Sequence, residues 1–232
     1  KTLVRSAKEL KSAVPGFRFG LGFNSGIFNS TRMSDVALIR ARKHFRWFDH
    51  LPQHTFVHRL MVTNGSGNDD YESMESLEGK LTRFMRESKE FAREHDLLPW
   101  IGKYTVAPAH SGVYPPIVGL YSAWKSVWQI NSTVTYTYPS RFPFPPDPFS
   151  LRGFEFDGIK VAPKQIMGIW STSSTHFQKP KSYLKKLYRG GAVWRSILEM
   201  PVSMYMTHAQ NYGADRLGLF AMNELINFTQ SF

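Results

Sequence analysis

Segments with the apolar spacing of an amphipathic helix alternate along this sequence with short strand-like segments. A helix is predicted first, ends at Pro15-Gly16, and is followed by an alternating strand. The predicted order is helix 1–14, strand 17–23, helix 75–95, strand 100–106, helix 118–127 and strand 129–138. Because helices that alternate with strands favour parallel pairing, we expect an α/β fold whose parallel sheet is open or closed into a barrel.

Two segments interrupt this alternation. Residues 63–73 are polar and rich in Gly, Asn and Asp, which predicts a surface loop. Residues 139–148 contain five prolines and can form neither a helix nor a central strand. Strand-like sequence resumes over 151–161 and a final helix is predicted over 217–232, so we interpret the proline segment as a loop within one domain, 1–232.

Composition and charge narrow the class of protein. Hydrophobic residues make up 42% and aromatic residues 15%, which indicates a packed globular body. The 29 basic and 18 acidic residues give a formal net charge of +11, which predicts a polyanionic partner. Neither zinc-finger spacing nor an aromatic RNA-binding signature is present, so nucleic acid is not favoured, but the charge alone does not choose between nucleic acid and an acidic glycan.

The chain has no cysteine, so cysteine usage cannot indicate its cellular compartment. Four Asn-X-Ser/Thr sequences, which are potential N-glycosylation sites, provide that indication instead. The predicted glycosylation sites are Asn29, Asn64, Asn131 and Asn227. Four such sequences in this length favour a secretory route. No signal peptide or membrane-spanning apolar run is present, so any anchor is expected outside this chain.

The first candidate site is His50-Leu-Pro-Gln-His54. Two His four residues apart on a helix point to the same side and can bind one divalent ion. Pro52 is compatible with this only if the helix starts near His50. Ordinary surface or core histidines have the same spacing, and a catalytic metal requires a third protein ligand.

The second candidate is the loop 107–116, which contains His110, Ser111, Gly112 and Tyr114. It follows a predicted strand and precedes a predicted helix, where binding loops lie in alternating α/β folds. Gly112 would let backbone N–H groups approach a ligand, as an oxyanion hole requires. An ordinary loop with a solvated histidine explains the sequence equally well.

The third candidate is the segment 204–219. A strand-like run ends at Thr207-His208, and a histidine at the carboxyl end of a strand is well placed as a general acid or base. Asp215 and Arg216 more readily form a structural ion pair near the start of the next helix.

Together these segments resemble the N-deacetylase half of the heparan sulfate N-deacetylase/N-sulfotransferases. The most specific match is 206–219 (MTHAQNYGADRLGL), followed by 107–115 (APAHSGVYP) and 120–128 (LYSAWKSVW). Segments 45–54 (FRWFDHLPQH), 152–154 and 158–161 fall in the order of the family. The resemblance therefore runs from the first helix to the last.

The resemblance implies a deformed (β/α) barrel of the polysaccharide-deacetylase type with a divalent metal, Zn²⁺ or Ca²⁺. His50 and His54 match the two His of the metal-binding HxxxH motif. The paired aspartates of the family lie before the matched segment, and Asp35, Asp49, Asp69 and Asp70 do not occupy their position. We therefore expect the third ligand upstream of Lys1, and a barrel incomplete on its N-terminal side.

The resemblance also implies roles for other residues. His208 matches the acid that protonates the departing amine, and the loop from His110 to Tyr114 would frame the oxyanion and the acetyl pocket. Residues implied in catalysis are thus His208 and His110, and those implied in substrate binding are Ser111, Gly112, Tyr114, Asn211 and Arg216.

The implied reaction is hydrolysis of N-acetyl groups on the N-acetylglucosamine units of heparosan, the heparan sulfate precursor, in the Golgi lumen. The domain is expected to be fused to a sulfotransferase domain that lies outside this chain. The alternative is a catalytically inactive deacetylase-like domain that binds an acidic glycan.

Overall fold

The computed structural model describes residues 2–50, 74–107, 112–114, 116–135, 153–165, 181–199, 203–212 and 217–232. The chain forms two compact units. We call Gly20–Thr135 with Phe154–Ala162 the β-unit, and Lys1–Phe19, Tyr136–Gly153 and Pro163–Phe232 the helical unit. The prediction of a single domain stays a prediction.

The β-unit contains short strands separated by helices. Its elements are β1 (Gly20–Phe23), α2 (Met33–Arg40), β2 (Arg46–Asp49), α3 (Met74–Glu94), α4 (Val118–Ala123), β3 (Ser132–Thr135), β4 (Phe154–Phe156) and the start of β5 (Ile159–Gln165). Single 3-10 turns lie at Ser25–Ile27, Arg42–His44 and Leu98–Trp100, and a π-helical turn, Trp124–Trp128, continues α4.

From β1 to β3, the strands of the β-unit are linked in parallel and in chain order, first by a ladder and then by two isolated bridges. β1 pairs with β2, with Phe23 opposite Asp49. Trp47 of β2 then forms a parallel bridge with Ile101, and Tyr104 forms one with Ser132 of β3. The carboxyl ends of neighbouring parallel strands consequently lie at one edge of the sheet, the edge where ligands bind in such folds.

One face of these strands packs against α3. Buried residues recur along α3 at helical spacing, at Leu81, Met85, Ser88 and Ala92. Phe23 stacks on Phe91 of α3, with ring centroids 5.8 Å apart. This face is therefore the core of the β-unit, and the opposite face of β1 and β2 points away from α3.

The helical unit buries apolar side chains between helices. Its elements are α1 (Thr2–Ala13), the end of β5, α5 (Lys181–Tyr188), α6 (Ala192–Glu199), β6 (Met204–Tyr205), a 3-10 turn (Ala209–Tyr212) and α7 (Leu217–Thr229). The buried cluster consists of Leu10, Leu184, Tyr188, Val193, Ala221, Met222, Leu225 and Ile226. Within this unit β5 pairs in parallel with β6, with Lys164 opposite Met204.

The predicted helices are confirmed within one to three residues where they are described, and two of the predicted strands are wrong. Residues 98–106 form a 3-10 turn and two isolated bridges instead of a strand over 100–106. Residues 151–161 contain an antiparallel hairpin, in which β4 and β5 meet at Asp157-Gly158. Both turn residues have positive φ, 49° and 73°, as a tight two-residue hairpin turn requires.

None of the helices in the described ranges combines the length and the apolar character that crossing a bilayer requires.

Candidate functional site

His50 lies directly after β2, at the carboxyl edge of the parallel strands. Its backbone N–H donates to the carbonyl oxygen of Phe23 at 2.8 Å, which extends the β1–β2 ladder by one residue. Its ring Nδ1 lies 2.8 Å from the carbonyl oxygen of Val106. A carbonyl oxygen only accepts, so Nδ1 carries a proton, and in the neutral form of the ring the lone pair is on Nε2.

Asn24 occupies the matching position after β1. It is nine-tenths buried, and its Oδ1 accepts the backbone N–H of Gly26 at 3.0 Å. Its Nδ2 is also buried and has no hydrogen-bond partner among the residues that the structure describes. Asn24 and His50 thus place an amide donor and an imidazole at adjacent strand ends.

Asp49 points to the other face of β2, because successive side chains of a strand alternate. It is 5% exposed, and its Oδ2 accepts the indole N–H of Trp128 at 2.9 Å. Burial raises the pKa of Asp49 to about 7, and the side chains of Trp128 and Ser88 offset part of this rise. Asp49 therefore belongs to the core that supports His50, and it is not on the face of His50.

The π-helical turn brings Trp128 to Asp49. The wider turn over Trp124–Trp128 ends at Gln129, whose φ is 54°, and both tryptophans are buried. The hydroxyl of Thr105 also donates to the backbone oxygen of Asp49 at 2.7 Å. Two long-range hydrogen bonds thus fix the residue before His50. The sequence contains no local signal for either of them.

His208 lies in the helical unit, three residues after β6. Its backbone N–H donates to Oδ1 of Asn211 at 2.9 Å, and its carbonyl oxygen accepts the N–H of Asn211 at the same distance. Asn211 is completely buried, so its side chain closes the turn that carries His208. The structure places a half-buried histidine just beyond a strand end, as the sequence predicts. The predicted contact of Asn211 with substrate stays a prediction.

The described part of the loop 107–116 is the turn at Gly112, Val113 and Tyr114. Gly112 has φ 72°, and a Cβ there would lie 2.9 Å from the side chain of Leu120. The hydroxyl of Tyr121 donates to the oxygen of Val113 at 2.9 Å. Tyr114 is half-buried and contacts the edge of the Phe154 ring. Glycine at 112 is thus required for the turn itself, and the substrate contacts predicted for Gly112 and Tyr114 remain predictions.

Several predicted site residues lie outside the described residues. They are His54, His110, Ser111, Arg216 and the sequon residue Asn64. Across the ranges that the structure does describe, no three His, Asp or Glu side chains come together as a metal site. Of the predicted metal ligands, only His50 has a described environment.

The other three sequon asparagines are exposed. Asn29 precedes α2, and its Oδ1 accepts the backbone N–H and hydroxyl of Thr31. Asn131 precedes β3, and Asn227 lies within α7 rather than in the surface loop typical of acceptor sites.

The sequence matches a known family over most of its length. Residues 1–194 match the family model described as heparan sulfate-N-deacetylase, deacetylase domain. The human bifunctional heparan sulfate N-deacetylase/N-sulfotransferases 2 and 1 are both 36% identical to the chain, over 99% and 100% of it respectively. The mouse bifunctional heparan sulfate N-deacetylase/N-sulfotransferase 4 is 35% identical over 100% of the chain.

The chain spans about a quarter of the length of these curated relatives. The matching family model covers the segments around His50 and Gly112, and the alignments with the human relatives extend over the segment around His208, so the family resemblance is confirmed. The chain belongs to the deacetylase-domain family of the heparan sulfate N-deacetylases, a family of enzymes.

Proposed function

We propose that this chain hydrolyses N-acetyl groups on the N-acetylglucosamine units of an anionic, heparosan-like glycan, with a divalent metal at the carboxyl edge of the parallel strands. The observation that supports this most strongly is the environment of His50. The chain's family supplies the reaction, and the ring of His50 is oriented as a metal ligand.

The contact between His50 and Val106 fits a metal ligand in chemical terms. Metal-binding histidines commonly donate the second ring N–H to a carbonyl or carboxylate, which fixes the tautomer and the ring orientation. Here Nδ1 donates to Val106, and Nε2 is the nitrogen with the lone pair. His54 would be the second ligand and an Asp outside this chain the third. When bound, the metal would polarise the scissile carbonyl and lower the pKa of water.

His208 would supply the proton for the departing amine. The role needs an imidazole held in position and able to change its charge near neutral pH. Asn211 holds the backbone of His208 from both sides, so the side chain starts from a fixed point.

The charge of the chain supports an anionic substrate. A formal charge of +11 raises the local concentration of a polyanion and accelerates its encounter with the protein. Heparosan carries a carboxylate on every second sugar, which satisfies this electrostatic preference without sulfation.

Acetate release from heparosan by the full-length protein tests the proposal. We expect His50→Gln to reduce release to background, while His95→Gln, in the turn that follows α3 of the same unit, retains it. His95 packs against Phe28 and Phe91, on the α3 side of the strands rather than on the face of His50, and serves as the matched control. Wild-type protein that binds heparosan and releases no acetate would instead identify a silent glycan-binding domain.

We also propose a location in the lumen of the secretory pathway. The exposed sequons at Asn29 and Asn131 support it. Treatment of the cellular protein with an N-glycosidase should increase its electrophoretic mobility. Unchanged mobility would contradict the proposed location.

A further inference from the structure

The face of β1 and β2 that carries His50 has an unusual composition. Along β2, Arg46, Phe48 and His50 alternate onto this face. The partners of Arg46 and Phe48 on β1 are Gly20 and Gly22, which have no side chains. A Cβ at Gly22 would lie 2.9 Å from the Phe48 ring and 3.1 Å from Cβ of His50, so the Phe48 ring lies directly on the β1 backbone.

A second aromatic ring lies beside Phe48. Tyr104 covers Gly20 and Gly102, since a Cβ at either glycine would be within 2.7 Å of its side chain. The rings of Phe48 and Tyr104 are 5.2 Å apart at 48°, and the hydroxyl of Tyr104 donates to the backbone oxygen of Arg46. We call Phe48 and Tyr104, supported by these three glycines, the aromatic shelf.

The shelf differs from the core on the other side of the same strands. Phe23 and Trp47 are 7% and 3% exposed, as core aromatic residues are. Phe48 and Tyr104 are only half-buried, and the two glycines of β1 are exposed. An apolar aromatic surface that solvent reaches, next to the predicted metal ligand His50, is suited to stack against a ring of a ligand.

Arg46 adds a positive charge at one end of the shelf. Its side chain is exposed and forms no ion pair with any residue in the described ranges. Arg46 is next to the shelf, since the hydroxyl of Tyr104 donates to its backbone oxygen at 3.0 Å, and its charge acts to lower the pKa of Tyr104 against the larger effect of burial. Arginine binds carboxylates through two parallel N–H donors.

We propose that the aromatic shelf and Arg46 form a subsite for the glycan strand beside the reacting sugar. A pyranose ring would stack on Phe48 and Tyr104, and the uronate carboxylate would bind Arg46. Arg46 and His50 are four residues apart on one strand, about 13 Å, so more than one linked sugar is needed to reach both. The inference rests on the proposed function for the identity of the glycan.

The glycines explain why the subsite can exist. Ordinary side chains at positions 20 and 22 would displace both rings and fill the space above β1. Without side chains, β1 allows a ligand to approach the sheet closely. An acidic glycan fits this surface, because an exposed cation, Arg46, borders two aromatic rings that solvent reaches.

The test uses the full-length enzyme with a heparosan oligosaccharide and with a neutral N-acetylglucosamine oligomer. Arg46→Gln should raise the KM and the Kd for heparosan roughly 5- to 10-fold, the effect of losing one charged hydrogen bond, with kcat within about twofold. Binding of the neutral oligomer should not change. Phe48→Leu should weaken binding of both oligomers about 3- to 10-fold, because it removes a stacking surface.

Arg86→Gln, an exposed arginine on α3, is the matched control for charge. Equal effects of Arg46→Gln and Arg86→Gln on heparosan binding would overturn the subsite. Equal losses of affinity for the heparosan and the neutral oligomer in Arg46→Gln would overturn it as well.

Binding measurements distinguish failure of the subsite from failure of the proposed function. A wild-type protein without acetate release contradicts the proposed function, whereas a selective loss of binding in Arg46→Gln still supports the subsite.

Discussion

His50 and His208 both follow a strand that pairs in parallel, but the structure holds them in different ways. The ring of His50 is itself bonded, through Nδ1, to the carbonyl oxygen of Val106. For His208, the hydrogen bonds with Asn211 hold the backbone, through the N–H and the carbonyl oxygen. The first arrangement orients an imidazole, and the second positions the residue that carries it.

The difference corresponds to two chemical tasks. A metal ligand must keep one tautomer and one ring orientation throughout the reaction, which a carbonyl acceptor on Nδ1 provides. A proton donor must exchange its proton in each cycle, so it needs a fixed position and a ring that can change charge. The comparison is compatible with the proposed roles of the two residues, a metal ligand at His50 and a proton donor at His208.

The largest expected effect is on turnover. His208→Ala should lower kcat by ~10²–10⁴, the usual range for the loss of a positioned proton donor, with KM for heparosan little changed. Steady-state acetate release measures both constants. Activity near that of wild type in His208→Ala would break the comparison, because His208 would then be only a structural residue.

A buried lysine beside β6 should give the helical unit a pH-dependent stability. Burial lowers the pKa of Lys164, opposite Met204 of β6, to about 8. Above pH ~10.5 the amine of Lys164 is neutral in both the folded and the unfolded protein, so its burial costs no charge desolvation. As the pH falls towards 8, the unfolded state binds the proton more readily, and the folded protein loses stability. Lys164→Met should therefore stabilise the protein by roughly 1–3 kcal/mol at pH 7 and by less at pH 10.

Urea unfolding at pH 7 and pH 10 measures this difference. Lys160→Met, at an exposed position of the same strand, is the control and should leave the pH dependence unchanged. A gain in stability that is equal at both pH values would show that burial of the charge is not its cause.

The glycine under His50 gives a smaller effect that is specific to the β-unit. Gly22→Ala places a Cβ 2.9 Å from the Phe48 ring and 3.1 Å from Cβ of His50, so the strand must shift. We expect a loss of ~1–3 kcal/mol in the free energy of unfolding, together with lower activity. Differential scanning calorimetry and acetate release measure the two effects.

Gly79→Ala is the matched control. Gly79 lies in α3 with open space around it, so the substitution should stabilise the helix by about 0.5–1 kcal/mol. If Gly22→Ala were as harmless as Gly79→Ala, the ring of Phe48 would not lie against β1 as described.

The smallest effect concerns the turn that carries His208. Asn211→Ala removes the side-chain oxygen that accepts the N–H of His208, which should cost about 1–2 kcal/mol of stability. Because the position of His208 is then less well fixed, kcat should also fall, while KM stays near the wild-type value. A higher KM with unchanged kcat would indicate the direct substrate contact that the family resemblance implies for Asn211.

The sequence predicts the local elements well and the long-range contacts poorly. Amphipathic spacing places α1, α3 and α7 correctly, because their buried faces repeat within one helix. Asp157-Gly158 is a strong signal for a hairpin turn, so the sequence favours two strands, β4 and β5, over the single strand predicted for 151–161. Within the described ranges, the segment 98–106 forms isolated bridges at Ile101 and Tyr104 instead of a ladder, which its composition does not reveal.

The environment of His50 lay beyond prediction from the sequence. The carbonyl of Val106 is 56 residues away, and the Asp49–Trp128 hydrogen bond spans 79 residues. Neither leaves a periodic pattern, because each depends on the packing of separate elements. The family resemblance suggests the proposed role of His50 as a metal ligand, and the hydrogen bond to Val106 gives its ring an orientation compatible with that proposal.

The central claim is that His50 binds a catalytic metal and His208 does not, and the metal content of the intact enzyme tests it most directly. Elemental analysis after gel filtration should find about one divalent ion per chain in wild-type protein and in His208→Ala, and far less in His50→Ala, which loses a direct ligand. Full metal content in His50→Ala, or loss of the metal in His208→Ala, would contradict the account.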